Sequence, residues 1–205
     1  MNIIDLTEKY HKTYFHCLED WSDEMKEAGN HKEVWFNKMK DEGLRVKIAV
    51  DDEKACGMIQ YLPVEKSIAD GNDLYFINCI WVHGYKKGIA VLLWKPLTDD
   101  AVPPRWIKQK KQPQKIDGKV TVTSFINGWC PAQNIVHERA KRASREFGEM
   151  VEFQNIQTSE REIFNEWGIV DALFIDGKKV KTGPPPSYDK IRKKIGKRIR
   201  SVKQI

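Results

Sequence analysis

Two places in this 205-residue chain carry residue types and spacings that could do chemistry. The first is Trp129-Cys130-Pro131-Ala132-Gln133, between a strand-like run (Lys119 to Phe125) and a helical stretch (Ile135 to Phe147). A thiol at the start of a helix meets unpaired backbone amides and the positive end of the helix dipole, which favour the nucleophilic thiolate. The second is the apolar run Phe76-Ile77-Asn78-Cys79-Ile80-Trp81-Val82, followed by His83-Gly84-Tyr85-Lys86-Lys87-Gly88. Glycines in such a loop let backbone amides approach an anion closely, and lysines add charge. No metal-ligand spacing is present. Cys17, Cys56, Cys79 and Cys130 lie far apart with no CxxC pair, which excludes a zinc ribbon and a disulfide scaffold.

The elements that must position these residues fall into two groups. In the first, Thr7 caps a predicted helix over 8–19, and a second helix spans Lys32 to Glu42 with Gly43 as its stop. The period then changes: Leu44 to Val50 alternates, Asp51-Asp52-Glu53-Lys54 turns, and Cys56 to Val64 returns as the second strand of a hairpin. Leu74 to Val82 is a third strand. In the second group, the order after Lys119 is βαβ–α–ββ–α. Its parts are a strand at Met150 to Ile156, a short helix over 160–167 and a hairpin at 172–180 turning on Asp176-Gly177. A last helix over 188–200 has Ser187 as its N-cap. Between the groups, residues 97–118 are rich in proline and polar residues and read as a linker, so the units expected are 1–96 and 119–205. The class is α+β.

Charge divides along the same line. Residues 1–96 hold 13 Lys+Arg and 16 Asp+Glu, whereas 97–205 hold 22 and 13. The basic excess concentrates in 189–205, where Ile191, Ile195 and Ile199 recur every four residues, so one helix face packs and the other is a solvated basic face. Without an aromatic-rich strand or a nucleic-acid motif, nucleic acid is not the expected partner. The longest apolar run, Ile89 to Trp94, is far short of the roughly 20 residues that span a bilayer. No secretory signal opens the chain, so the expected setting is cytoplasmic, with reduced thiols and no membrane partner.

The helix pair, the hairpin 44–64 and the phrase Phe76 to Val82 resemble the N-terminal half of a GNAT-type N-acetyltransferase. The resemblance covers about residues 1–95. It implies acetyl transfer from acetyl-CoA to a small-molecule or peptide amine, with Ile80, Trp81 and Val82 on the strand whose backbone receives the pantetheine arm. It also implies a phosphate loop at Gly84 and Gly88, with Tyr85 as acid for the leaving thiolate. Other candidate acid–base residues are Glu65, Asp73 and His83 as bases and Tyr75 as acid. Two readings of the following segment stand side by side. In one, Tyr85-x-x-Gly88-x-Ala90 is a worn phosphate loop with Tyr where the family has Gln or Arg. In the other, Gly84 to Lys87 is a turn and Ile89 to Trp94 the terminal strand, with the phosphate loop and a helix–strand–helix block missing. The second is favoured by Ile89, Val91 and Trp94 and by Pro96, and it implies weak or absent acetyl-CoA binding and impaired transfer.

Residues 119–205 resemble a thioredoxin-like domain, with Cys130 at the first cysteine of the family's Trp-Cys-x-x-Cys motif. Gln133 stands at the second cysteine, and Asp171 stands where the family has a cis-proline. A dithiol–disulfide cycle is thereby excluded and monothiol chemistry with an outside thiol is left open. Together the two halves resemble a group of two-domain GNAT-type proteins, shortened here. Two alternatives stay open beside the impaired acetyltransferase. One is a monothiol redox module using Cys130. The other is a non-catalytic binding or assembly module, in which apolar sheet surface around Ile80, Val82, Val91 and Leu93 is covered by a second copy of the chain, a homodimer.

Overall fold

The computed structural model describes residues 1–17, 23–71, 73–83 and 105–202. They form a mixed α+β protein with helices, two four-stranded sheets and a two-stranded ribbon. The chain divides into two compact units, one of Met1–Ser22 and Glu33–Ile107 and the other of Asp23–Lys32 and Lys108–Ile205.

In the first unit the alternating segments become β2 (Arg45–Asp51) and β3 (Lys54–Pro63), joined by Asp52 and Glu53 at φ of 45° and 64°. Positive φ at both central residues matches the right-handed twist of the paired strands. Two further strands flank the hairpin: β1 (Asn2–Asp5), which the sequence reading leaves unassigned, and β5 (Tyr75–Val82). All pairings are antiparallel in the order β1-β2-β3-β5. Separately, β4 (Ala69–Asp70) pairs with β6 (Arg105–Trp106). The helix predicted over 8–19 is shorter within the described residues: one 3-10 turn, then α1 (His11–Phe15), with Cys17 at φ 64°. Helix α2 (His31–Met39), whose first two residues belong to the second unit, leads to Gly43 at φ +96°, where a Cβ would lie 2.8 Å from the Pro63 ring. Tyr14, Trp35, Met39, Ile48, Met58 and Leu62 are buried in this unit's core.

The second unit is built on β7 (Val120–Ile126), every residue of which is buried, as expected of a central strand covered on both faces. It pairs in parallel with β8 (Val151–Gln157) and antiparallel with β9 (Ala172–Ile175), which in turn pairs with β10 (Lys178–Val180). The order is therefore β10-β9-β7-β8. Parallel neighbours need a crossover, and α3 (Pro131–Arg145) supplies it. Helix α4 (Arg161–Trp167) follows β8, and α5 (Tyr188–Val202) ends the unit. Val120, Val122, Leu173 and Ile175 share a buried cluster with Val136 and Ala140 of α3 and Ile191, Ile195 and Ile199 of α5. The alternate strand residues Phe125, Ala172 and Phe174 pack on the opposite side with Ile169 and Trp167.

Residues 108–116, which composition reads as part of a linker, run along this unit. The Lys110 N–H donates to Trp167 O (2.8 Å), Gln112 Nε2 to Gly177 O (2.7 Å) and the Ile116 N–H to Thr121 Oγ1 (2.9 Å). Gly168, at φ +66°, is where this strap lies closest: a Cβ there would sit 2.0 Å from Lys108 O. Among the described residues no helix is long and apolar enough to cross a membrane.

Candidate functional site

The strand β5 lies at the edge of its sheet among the described residues, so one row of its backbone groups faces away from β3. The register runs Gly57↔Val82, Met58↔Trp81, Ile59↔Ile80 and Gln60↔Cys79, then shifts so that Tyr61 meets Ile77, leaving Asn78 as the extra residue of a bulge. Ile80 is exposed and Val82 half-buried, packed with the cluster Ala49, Ile59 and Tyr61. Met58, Gln60, Cys79 and Trp81 share the opposite face, where the Tyr14 hydroxyl donates to Gln60 Oε1 (2.9 Å). Burial pushes the Tyr14 phenol well above its ordinary value, so it stays protonated and keeps that donor. Gln60 Nε2, Asn78 Oδ1 and Trp81 Nε1 are buried with no hydrogen-bond partner among the described residues. Three such atoms on two adjacent strands are unusual, because a buried unsatisfied polar group costs about 1–3 kcal/mol.

The other candidate acid–base residues do not converge on one point. His83 is exposed, its N–H donating to Cys56 O (2.9 Å), and its ring meets that of Trp81 at 6.0 Å. Tyr75 is exposed and stands edge-on to Tyr61, while Glu65 and Asp73 are exposed. Gly84, Tyr85 and Gly88, the strand expected at Ile89 to Trp94, and Val91 and Leu93 lie outside the described residues.

Cys130 is the half-buried residue preceding α3, with extended backbone (φ −105°, ψ 107°). Its carbonyl accepts the N–H groups of Gln133 and Asn134, both at 3.0 Å, which starts the helix at Pro131, four residues before the predicted Ile135. Proline suits that first position because its missing N–H has no intrahelical partner there. The loop is closed by Asn134 Nδ2 donating to Gly128 O (2.8 Å) and Asn127 Nδ2 to Thr158 O (3.0 Å). Trp129 Nε1 and Asn134 Oδ1 are buried without a partner among the described residues.

Asp171 reaches the same loop, its Oδ1 accepting the Asn127 N–H at 2.8 Å. Burial pushes its carboxyl up to about 7, against the downward pull of that hydrogen bond. An acid raised toward neutrality by burial thus stands beside the loop that leads into Cys130. Further along α3, His137 is buried with Nδ1 2.9 Å from Ser124 Oγ, and burial, with His31 nearby, pushes its imidazole down to about 4. His137 carries no motif in the sequence, and the signal of a buried histidine is its place three residues before Ala140 on the packed helix stripe. Comparison with family models, curated proteins and solved structures returns no match for the chain.

Proposed function

We propose that the protein is a GNAT-type N-acetyltransferase by descent, impaired in acyl transfer from acetyl-CoA to an amine, with a thioredoxin-like second unit. The observation that carries the first part is the edge strand β5 with its bulge at Asn78. A strand at the sheet edge among the described residues suits an extended pantetheine arm, and Asn78 Oδ1 and Trp81 Nε1, without a partner among those residues, suit a polar ligand beside it. Impairment rests on the sequence after Val82, where Gly84 to Lys87 reads as a turn into a strand at Ile89 to Trp94, so that the family's Gln/Arg-x-x-Gly-x-Gly/Ala loop and the helix it opens are missing. Titration of the full chain with acetyl-CoA in a calorimeter is expected to give no saturable heat at micromolar concentrations. Micromolar binding, with acetyl transfer to any member of an amine panel, would overturn impairment.

A second reading is favoured by a separate observation, the position of Cys130 immediately before the 15-residue helix α3. Here the thiolate attacks a disulfide of a small external partner, releases one thiolate and holds the other as a mixed disulfide. A further outside thiol resolves it, since Gln133 supplies no second sulfur. The sheet order β10-β9-β7-β8, with α3 crossing between parallel strands, is consistent with the thioredoxin-like assignment. Competitive alkylation followed by peptide mapping is expected to label Cys130 roughly tenfold faster than Cys17, Cys56 and Cys79. Equal rates at all four sulfurs would remove this reading.

A further inference from the structure

Three side chains of the second unit that can ligate metals converge on one point, although one of them lies more than a hundred residues before the other two. His31 opens α2 near the end of the segment Asp23–Lys32, brought round by Gly29 at φ +64°, while His137 and Glu138 are neighbours on α3. One ligand atom from each lies within 4.8 Å of the other two. His31 Nε2 is 2.8 Å from Glu138 Oε1, and His137 Nε2 approaches the same oxygen at 4.0 Å. The two imidazoles stand edge to face, 5.3 Å between centroids. The His137 side chain is 2% exposed, whereas those of His31 and Glu138 are 23% and 24% exposed, so the cluster has a deep wall and a mouth open to solvent.

A hydrogen bond between His31 and Glu138 accounts for two of the three groups. It leaves unexplained why the buried His137 aims Nε2 at the same carboxylate from beyond hydrogen-bonding distance. We propose that His31, His137 and Glu138 form a three-ligand site for a divalent transition-metal cation of the zinc class. Two imidazole nitrogens and a carboxylate oxygen suit zinc better than the all-oxygen shells of magnesium or calcium. Ligand atoms around a tetrahedral zinc ion are roughly 3.3 Å apart, as follows from bonds of about 2.0–2.1 Å. The observed separations of 2.8 and 4.0 Å fall on either side of that spacing. Ser124 supplies the outer support that ligating histidines commonly have: with Nδ1–H donated to Ser124 Oγ, the Nε2 lone pair of His137 faces the cluster. Lys141, with Nζ 3.9 Å from Glu138 Oε1, is the competing cation; its side chain is 37% exposed and can turn into solvent. Three protein ligands leave a fourth position for water, and a bound ion would tie the segment Asp23–Lys32 to α3.

The test is calorimetric titration of the full chain with zinc chloride near neutral pH, alongside the variants His31→Gln and Glu138→Gln. Both substitutions fall at partly exposed positions, so folding is expected to survive and is checked by circular dichroism. The expected result is about one zinc ion per chain, a zinc-dependent rise in Tm, and affinity lowered roughly tenfold or more in each variant. No saturable heat from the unmodified protein, or unchanged affinity in both variants, would overturn the proposal. A second measurement does not depend on the variants. Cobalt(II) bound to the unmodified protein should show d–d absorption without an intense thiolate-to-metal band, and a dominant thiolate band would place the metal on cysteine and overturn the assignment.

Discussion

Glu27→Gln is expected to destabilise the second unit by about 2 kcal/mol at neutral pH. Arg139 on α3 is only 3% exposed and donates Nη2 to Glu27 Oε1 at 2.8 Å and Nε to Glu27 Oε2 at 3.3 Å. Arg142 donates to the same carboxylate, and Pro186 O accepts from Arg139 Nη1 at 3.0 Å. Neutralising Glu27 leaves a buried guanidinium with the more distant and more exposed Glu24 as its remaining carboxylate, 3.4 Å away. A fully buried pair broken from one side costs roughly 3–5 kcal/mol; Glu27 keeps partial access to water, which lowers the figure. The Arg139 hydrogen bond, against the opposing effect of burial, holds the Glu27 carboxyl below its ordinary value. The pair therefore contributes stability above the ordinary carboxylate range, and the contribution is lost as pH falls through the lowered value. Urea unfolding of both proteins at neutral and acid pH checks this. Equal stability at neutral pH, or a gap that widens in acid, would contradict it.

Asp171→Asn is expected to act with the opposite sign and the opposite pH dependence. With its carboxyl raised to about 7 from an ordinary 3.8, the folded state keeps a proton that the unfolded chain has released. Stability contributed by this group is therefore complete below the ordinary value, falls as pH rises between the two, and levels off above about 7. The amide carries no charge at any of these pH values, and its oxygen can still accept the Asn127 N–H. The variant should gain about 3 kcal/mol over the parent in mildly alkaline solution and almost nothing near pH 4. That figure follows from about 1.4 kcal/mol for each pH unit between the folded and unfolded values, less an allowance for partial exposure. Thermal melts of both proteins across that range measure it directly. A gain independent of pH would show that the carboxyl does not titrate as its burial requires.

Much of the local structure was legible in the residues because it depends on short-range rules. The alternation of Arg45 to Val50, the Asp176-Gly177 turn, the Gly43 stop and the four-residue spacing of Ile191, Ile195 and Ile199 each report on neighbours a few positions away. Cys130 was legible for the same reason, since strand, turn and helix follow one another directly along the chain. Where the rules are local but compete, the boundary moved: Pro131 and the Cys130 carbonyl open α3 a full turn before the apolar stripe begins. What periodicity could not carry is pairing at a distance. β1 is four residues long, too short to display a period, and is made a strand by its antiparallel register with Lys47 to Val50. Residues 108–116 lack apolar rhythm and are held instead by hydrogen bonds to Trp167, Gly177 and Thr121. The same holds for the chemistry beyond Cys130. The polarity of Asp171 is plain from its residue type, but a carboxyl near 7 arises only when folding strips its water and leaves one backbone donor. His31 and His137 look unrelated along the chain, and only the packing of Asp23–Lys32 on α3 brings their nitrogens to one carboxylate. Short-range sterics and hydrogen bonding act between residues the chain already holds together, whereas burial and convergence exist only once distant segments share a core.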